Sequence, residues 1–204
     1  LMSSVDRLYT EEIGALVIDA HGRQSESLPK KPLVLAGSFN PMHHGHKDLL
    51  SAAMAMTGDN GYYEISIRNV DKPLLPKTEL GKRAEQVLKD GKSLILTSAP
   101  RFTEKSSILP GATFVIGFDT CARLFDETYY PDHVAGSATA VDNSLDLIEE
   151  NGCNFIVAGR INSRGIFQGL RDVSVPQRFK DMFRELTESQ FRSDLSSTEM
   201  RNRF

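Results

Sequence analysis

Three histidines within four positions, His43, His44 and His46, close the segment Gly37-Ser38-Phe39-Asn40-Pro41-Met42-His43-His44-Gly45-His46. An imidazole can donate a hydrogen bond to a phosphate oxygen, and an imidazolium can offset negative charge that grows there. His43 and His46, three apart on a first helical turn, can point to one side. Gly37 permits close approach of a ligand to the backbone, and Pro41 forces a turn. A helix starting near Gly45 would bring its free N–H groups and positive dipole end to the same place. The chemistry implied is the holding of an anion, with a phosphate as the natural candidate. Histidines at this spacing can also ligate zinc, but no third ligand stands by them. A lone histidine at a helix start is commonly a cap or a surface residue; three in four positions are hard to explain as packing.

A second candidate anion site is Leu195-Ser196-Ser197-Thr198-Glu199-Met200-Arg201. Ser or Thr before a helical run is an N-cap signal, and hydroxyls with free N–H groups make an anion nest. Arg201, on the turn above, could reach the same anion with its planar fork. Taken alone, helix capping explains this segment. Gly117 and Asp119 end a strand in Val115-Ile-Gly-Phe-Asp, where Asp119 suits either an N-cap or ribose hydroxyls. Lys72, before a proline, stands equally as an exposed lysine and as a phosphate ligand. Arg160, after an apolar strand, is as readily a solvated arginine as a ligand contact.

These residues must be carried by elements, and the chain alternates. Short apolar runs ending at Gly37, Thr97, Ile116 and Ala158 read as strands, and Tyr62 to Ile67, with Tyr63, Ile65 and Ile67 alternating with polar residues, suits a strand as well. Between them Gly45–Met56, Thr78–Lys89, Asp119–Phe125 and Asn143–Asn151 read as helices. The fold class is therefore α/β: a Rossmann-like, doubly wound, mostly parallel sheet of five or six strands flanked by helices. Ligands in such sheets bind beyond the carboxyl ends of the strands, where the strand order reverses. The Gly-, His- and Ser-rich segments fall at those ends. Residues 1–31 read as an extension and polar linker, and residues 32–204 as the domain that carries the chemistry.

Composition narrows the partners. A net charge of −3 disfavours nucleic acid, which calls for a basic stripe. No apolar run approaches the ~20 residues of a membrane helix, so no membrane partner is expected. Two cysteines, Cys121 and Cys153, are too few for a disulfide framework and read as buried small hydrophobes. With no charged-then-apolar leader, the expected compartment is the cytoplasm or an organelle. A homo-oligomer is neither required nor excluded.

Gly37-Ser-Phe-Asn-Pro followed by His43-x-Gly45-His46 resembles the nucleotidylyltransferase superfamily that bears the His/Thr-x-Gly-His motif. Its Gly-Ser-Phe-Asn-Pro form is most similar to the nicotinamide or nicotinate mononucleotide adenylyltransferase branch. Ser196 to Arg201 resembles that family's Ile-Ser-Ser-Thr-x-Ile-Arg, with Met200 in place of Ile. The resemblance implies ATP and a phosphorylated acceptor as substrates, with Mg²⁺ bridging the ATP phosphates and no metal site built of protein ligands. It implies His46 as transition-state stabiliser, His43 as phosphate ligand, and backbone contacts to the nucleotide from Gly37, Ser38 and Phe39. It places Gly117 and Asp119 at the nucleoside, Ser197, Thr198 and Arg201 on the triphosphate tail, and Lys72 near the reacting phosphates. Arg83 lies in a helix similar to an Arg-bearing helix of the family. Relatives acting on nicotinamide mononucleotide typically stack the pyridine on tryptophan, and this chain has none. Phe125, Tyr129 and Tyr130 are the aromatics that could substitute. Other acceptors (phosphopantetheine, phosphocholine, glycerol phosphate) or a catalytically idle nucleotide-binding module are the alternatives.

Overall fold

A computed structural model describes residues 2–131 and 139–192. Its centre is β3 (Leu33–Ala36), a short run of apolar residues buried on both faces. From β3 the chain winds one way through α2 (His44–Thr57), β4 (Gly61–Ser66), α3 (Lys77–Leu88) and β5 (Ser93–Thr97). It then crosses back through α4 (Phe102–Ile108) to β6 (Thr113–Gly117) on the other side of β3, followed by α5 (Phe118–Leu124), α6 (Thr139–Glu150) and β7 (Asn154–Ala158). A small antiparallel hairpin, β8 (Arg160–Ile161) and β9 (Phe167–Gln168), precedes the last strand, β10 (Phe183–Leu186).

The strand order β10-β7-β6-β3-β4-β5 is parallel throughout. The order reverses between β3 and β6, so the crevice beyond their carboxyl ends is the place where this topology receives a ligand. Each face has its own core. α2 and α3 bury Leu50, Ala53, Leu80, Ala84 and Val87 on one side. α5 and α6 bury Cys121, Val141, Leu145 and Ile148 on the other. The expected doubly wound α/β sheet is thus present, and both cysteines are buried and free. No helix among the described residues is long and apolar enough to cross a membrane.

The sheet is wider than five or six strands, because residues read as an extension join it. α1 (Ser4–Tyr9) leads into β1 (Ala15–Ile18), which pairs antiparallel with β5, and β2 (Gln24–Ser25) pairs with β1. The result is an eight-stranded sheet. Leu8 and Leu16 are fully buried in the same core as α2 and α3. The polar, turn-rich composition of residues 19–31 conceals this, since the apolar anchors are few and lie upstream of it. Leu16→Ala should therefore lower unfolding free energy by about 2–5 kcal/mol, as for other buried leucines. Urea melts check this; a shift within error would mean that the strand is only loosely attached.

Candidate active site

β3 runs into the loop Gly37–Met42, and the structure shows what each of its residues does. Gly37 donates its N–H to the Glu64 carbonyl at 3.0 Å, extending the ladder between β3 and β4. A Cβ at position 37 would stand 2.9 Å from the Phe39 ring, so the seat of Phe39 requires glycine there. Phe39 has φ +46° and buries its ring almost completely. The ring meets His46 edge-on at 5.0 Å and Tyr63 at 5.2 Å between centroids. The Tyr63 hydroxyl in turn donates to Asp90 at 2.6 Å, and burial with this carboxylate neighbour pushes its pKa up. Phe39 is a floor beneath His46. Ser38 is exposed.

Helix α3 clamps the loop from the side. Arg83, ion-paired with Glu79 at 2.9 Å, donates to the Ser38 carbonyl at 3.3 Å. Gln86 accepts from the Met42 N–H at 3.1 Å. Arg83 was singled out in the sequence, while Gln86, one polar residue on an amphipathic helix, carried no signal.

The histidines are fixed by the backbone around them. His43 is the N-cap of α2, and its Nδ1 accepts from the Gly45 N–H at 3.1 Å. His46 Nδ1 accepts from the His43 N–H at 3.2 Å. The Gly45 amide expected to face an anion is thus spent on an imidazole. In exchange, a nitrogen that accepts an N–H carries no proton, so the neutral rings hold theirs on Nε2. The rings stack with centroids 3.8 Å apart and planes 25° apart. His43 Nε2 is buried and has no hydrogen-bond partner among the described residues. A buried donor without an acceptor is costly unless something fills the position.

Both imidazoles are held neutral. Burial, with a smaller contribution from His44, lowers the His43 pKa. Burial, then His43, lowers that of His46 from 6.5 to about 3. In the native fold the pair is thus a set of hydrogen-bond donors; an arriving anion would favour the charged form and draw protons in.

The other expected residues lie along the same edge of the sheet. Gly117 ends β6, next to β3, and is itself the N-cap of α5. Asp119 is therefore in the first turn of α5 and is not the cap. Its carboxylate pairs with Arg160, just beyond β7, at 3.0 Å, and both side chains are about half exposed. Lys72 is exposed in the loop after β4. Ser197, Thr198 and Arg201 lie outside the described residues.

A cleft of about 380 Å³ opens beyond the carboxyl ends of β4, β5 and β6, and no residue of the loop 37–46 lines it. Its walls are Val70 and Asp71, the run Pro100–Thr103, Arg123 and Leu124 of α5, and Tyr129 and Tyr130. Tyr129 is 59% exposed with the Arg123 guanidinium 5.9 Å from its ring, whereas Tyr130 donates its hydroxyl to the Leu124 carbonyl at 2.7 Å. Phe125 is no part of this wall: it packs on Phe183 at 5.3 Å within the core. Phe102 and Arg101 line the cleft without any mark in the sequence that set them apart.

Residues 34–203 match the cytidylyltransferase-like family. The chain belongs to that family. The match spans both motifs, from β3 through the Ser-Ser-Thr segment, and it makes the chain a nucleotidyltransferase of the His-x-Gly-His type whose substrate is a nucleotide. No curated protein matches the chain at a significant level.

The neutral pair makes a cytidylyltransferase-like site sensitive to acid. Between pH 6.5 and about 3 the unfolded chain binds a proton at His46 that the native fold refuses. Stability must therefore fall as pH drops through that window. A His46→Gln variant should lose less stability than the parent across the same range in urea melts. Equal losses would mean that His46 takes up its proton in the native fold as readily as in the unfolded chain.

Proposed function

We propose that this nucleotidyltransferase moves AMP from ATP to nicotinamide or nicotinate mononucleotide, forming the dinucleotide and releasing pyrophosphate. The observation that carries this is the stacked pair His43 and His46, whose Nδ1 atoms are both taken by backbone N–H groups. The remaining proton of His43, on a buried Nε2 with no partner among the described residues, is a donor suited to a phosphate oxygen.

An oxygen of the acceptor phosphate attacks the α-phosphorus in line; that bond forms as the bond from the α-phosphorus to the bridging oxygen breaks, and pyrophosphate leaves with the electron pair. Little covalent chemistry falls to the protein, so positioning and charge stabilisation supply most of the rate. His46, propped by Phe39, donates to the oxygen on which charge grows, and His43 holds a neighbouring phosphate oxygen. Ser197, Thr198 and Arg201 take the triphosphate tail, Lys72 approaches the reacting phosphates, and Gly117 with Asp119 meets the nucleoside. The Asp119 carboxylate then accepts from the ribose hydroxyls as well as from Arg160.

Among the described residues no three His, Cys, Asp or Glu side chains are grouped to hold a metal. The phosphate loop offers hydrogen-bond donors, which repel a cation and suit its phosphate ligands. The residues therefore fit Mg²⁺ carried on the ATP phosphates, where it would neutralise charge and orient the leaving group. The acceptor's ring belongs in the cleft, with exposed Tyr129 in place of the tryptophan that relatives use.

His46→Ala should lower turnover by about 10²-fold or more while ATP still binds. Pyrophosphate release and ATP titration check this, and unchanged turnover would remove His46 from the reaction. Tyr129→Ala should raise the acceptor KM about fivefold, the equivalent of ~1 kcal/mol of stacking. Release with pantetheine phosphate but not with nicotinamide or nicotinate mononucleotide would reassign the acceptor, and release with none would leave a nucleotide-binding module without activity.

A further inference from the structure

Glu64 stands in the middle of β4, wholly buried, where an apolar residue would ordinarily be found. Its Oε2 meets the ammonium of Lys105, also buried, at 2.6 Å. Its Oε1 accepts from the Thr97 hydroxyl at 2.5 Å. Such a pair is poorly explained by stability, because apolar residues of the same volume generally do as well or better. What the pair does supply is direction. Thr97 is the last residue of β5 and Lys105 lies in α4, so one carboxylate grips both ends of the run between them. That run provides Pro100, Arg101, Phe102 and Thr103 to the cleft. The Lys105 ammonium lies 5.8 Å from the Phe102 ring, whose other neighbours are Phe114 and Phe155.

The same residue reaches the phosphate loop through its main chain, since the Glu64 carbonyl accepts the Gly37 N–H at 3.0 Å. Backbone on one side and carboxylate on the other, Glu64 joins the start of the phosphate loop to the lip of the cleft. We infer that Glu64, acting through Lys105 and Thr97, is a positioning residue that registers the acceptor cleft against the histidine pair. The inference rests on the adenylyl-transfer reading above. It predicts that loosening this grip separates the two substrates' constants, because the ATP-binding loop keeps its own clamp on α3.

The test uses Lys105→Met, the doubly apolar Glu64→Leu/Lys105→Met, and the pair Thr97→Val and Thr97→Ser in the full chain. Lys105→Met leaves a buried carboxylate unpaired and can fail to fold; the double variant carries no such charge and keeps the experiment decisive. In the double variant, kcat/KM for nicotinamide mononucleotide should fall about 10- to 100-fold, as for a displacement of order 1 Å, with the ATP KM unchanged. Thr97→Ser should behave as the parent, and Thr97→Val should follow the double variant in direction. Amide hydrogen exchange should quicken at residues 98–104 and stay unchanged at 37–46. A folded double variant with an unmoved acceptor constant, or with ATP and acceptor constants rising together, would overturn the inference. If the parent releases no pyrophosphate from any acceptor, the reaction reading falls. Exchange then decides alone: quickening confined to 98–104 upholds the positioning role, and unchanged exchange ends it.

Discussion

Two backbone amides, those of Gly45 and His43, point their hydrogens at the Nδ1 atoms of His43 and His46. The rest of the site depends on this exchange. A helix N-terminus has more N–H groups than acceptors, and here imidazoles take two of them in place of the usual Ser or Asp. The choice fixes each ring's tautomer and brings the rings into a stack. A serine cap would satisfy the same amide and present nothing beyond it.

Around this exchange the fold supplies rigidity in layers. Phe39 can lie under His46 only because Gly37 has no side chain, and only with Phe39 itself at positive φ. Tyr63 supports Phe39 from β4, and Asp90 holds Tyr63 from beyond α3. α3 adds Arg83 and Gln86 to the loop's carbonyl and amide groups. The cytidylyltransferase-like sheet explains why these parts can meet: the loop after β3 and the turn after β6 emerge side by side at the point of reversal.

The parts legible in the sequence were those whose physics is local. Strands β3 to β7 and helices α2 and α3 announce themselves through apolar runs and periodicity, and the two histidines through type and spacing. α4 was hidden because two of its buried positions are Lys105 and Ser106, so apolar periodicity is broken where it would be sought. Glu64 misled in the same way: Tyr63, Ile65 and Ile67 alternate with polar residues, implying a strand with one wet face, yet β4 is buried on both. The partner that makes a buried Glu acceptable lies 41 residues away and is invisible to any local pattern. Asp119 looked like a cap because acidic residues favour helix starts, but the cap of that helix lies two residues earlier, at Gly117. The cleft was beyond reach for another reason, since four separate segments make its walls.

The pairing of β1 with β5 has a consequence for how the molecule is made. Ala15 lies opposite Thr97 and Ile18 opposite Leu94, so the earliest strand in the chain is laid against one that is synthesised much later. Until then β1 has only β2 beside it in the sheet, with α1 packed against it, and its edge toward β5 is open. Once seated, it closes an edge of the parallel sheet that would otherwise present a row of open backbone groups to other chains. The segment Ala15–Ser25 is thus a seal on the β5 edge, two antiparallel strands laid against an otherwise parallel sheet.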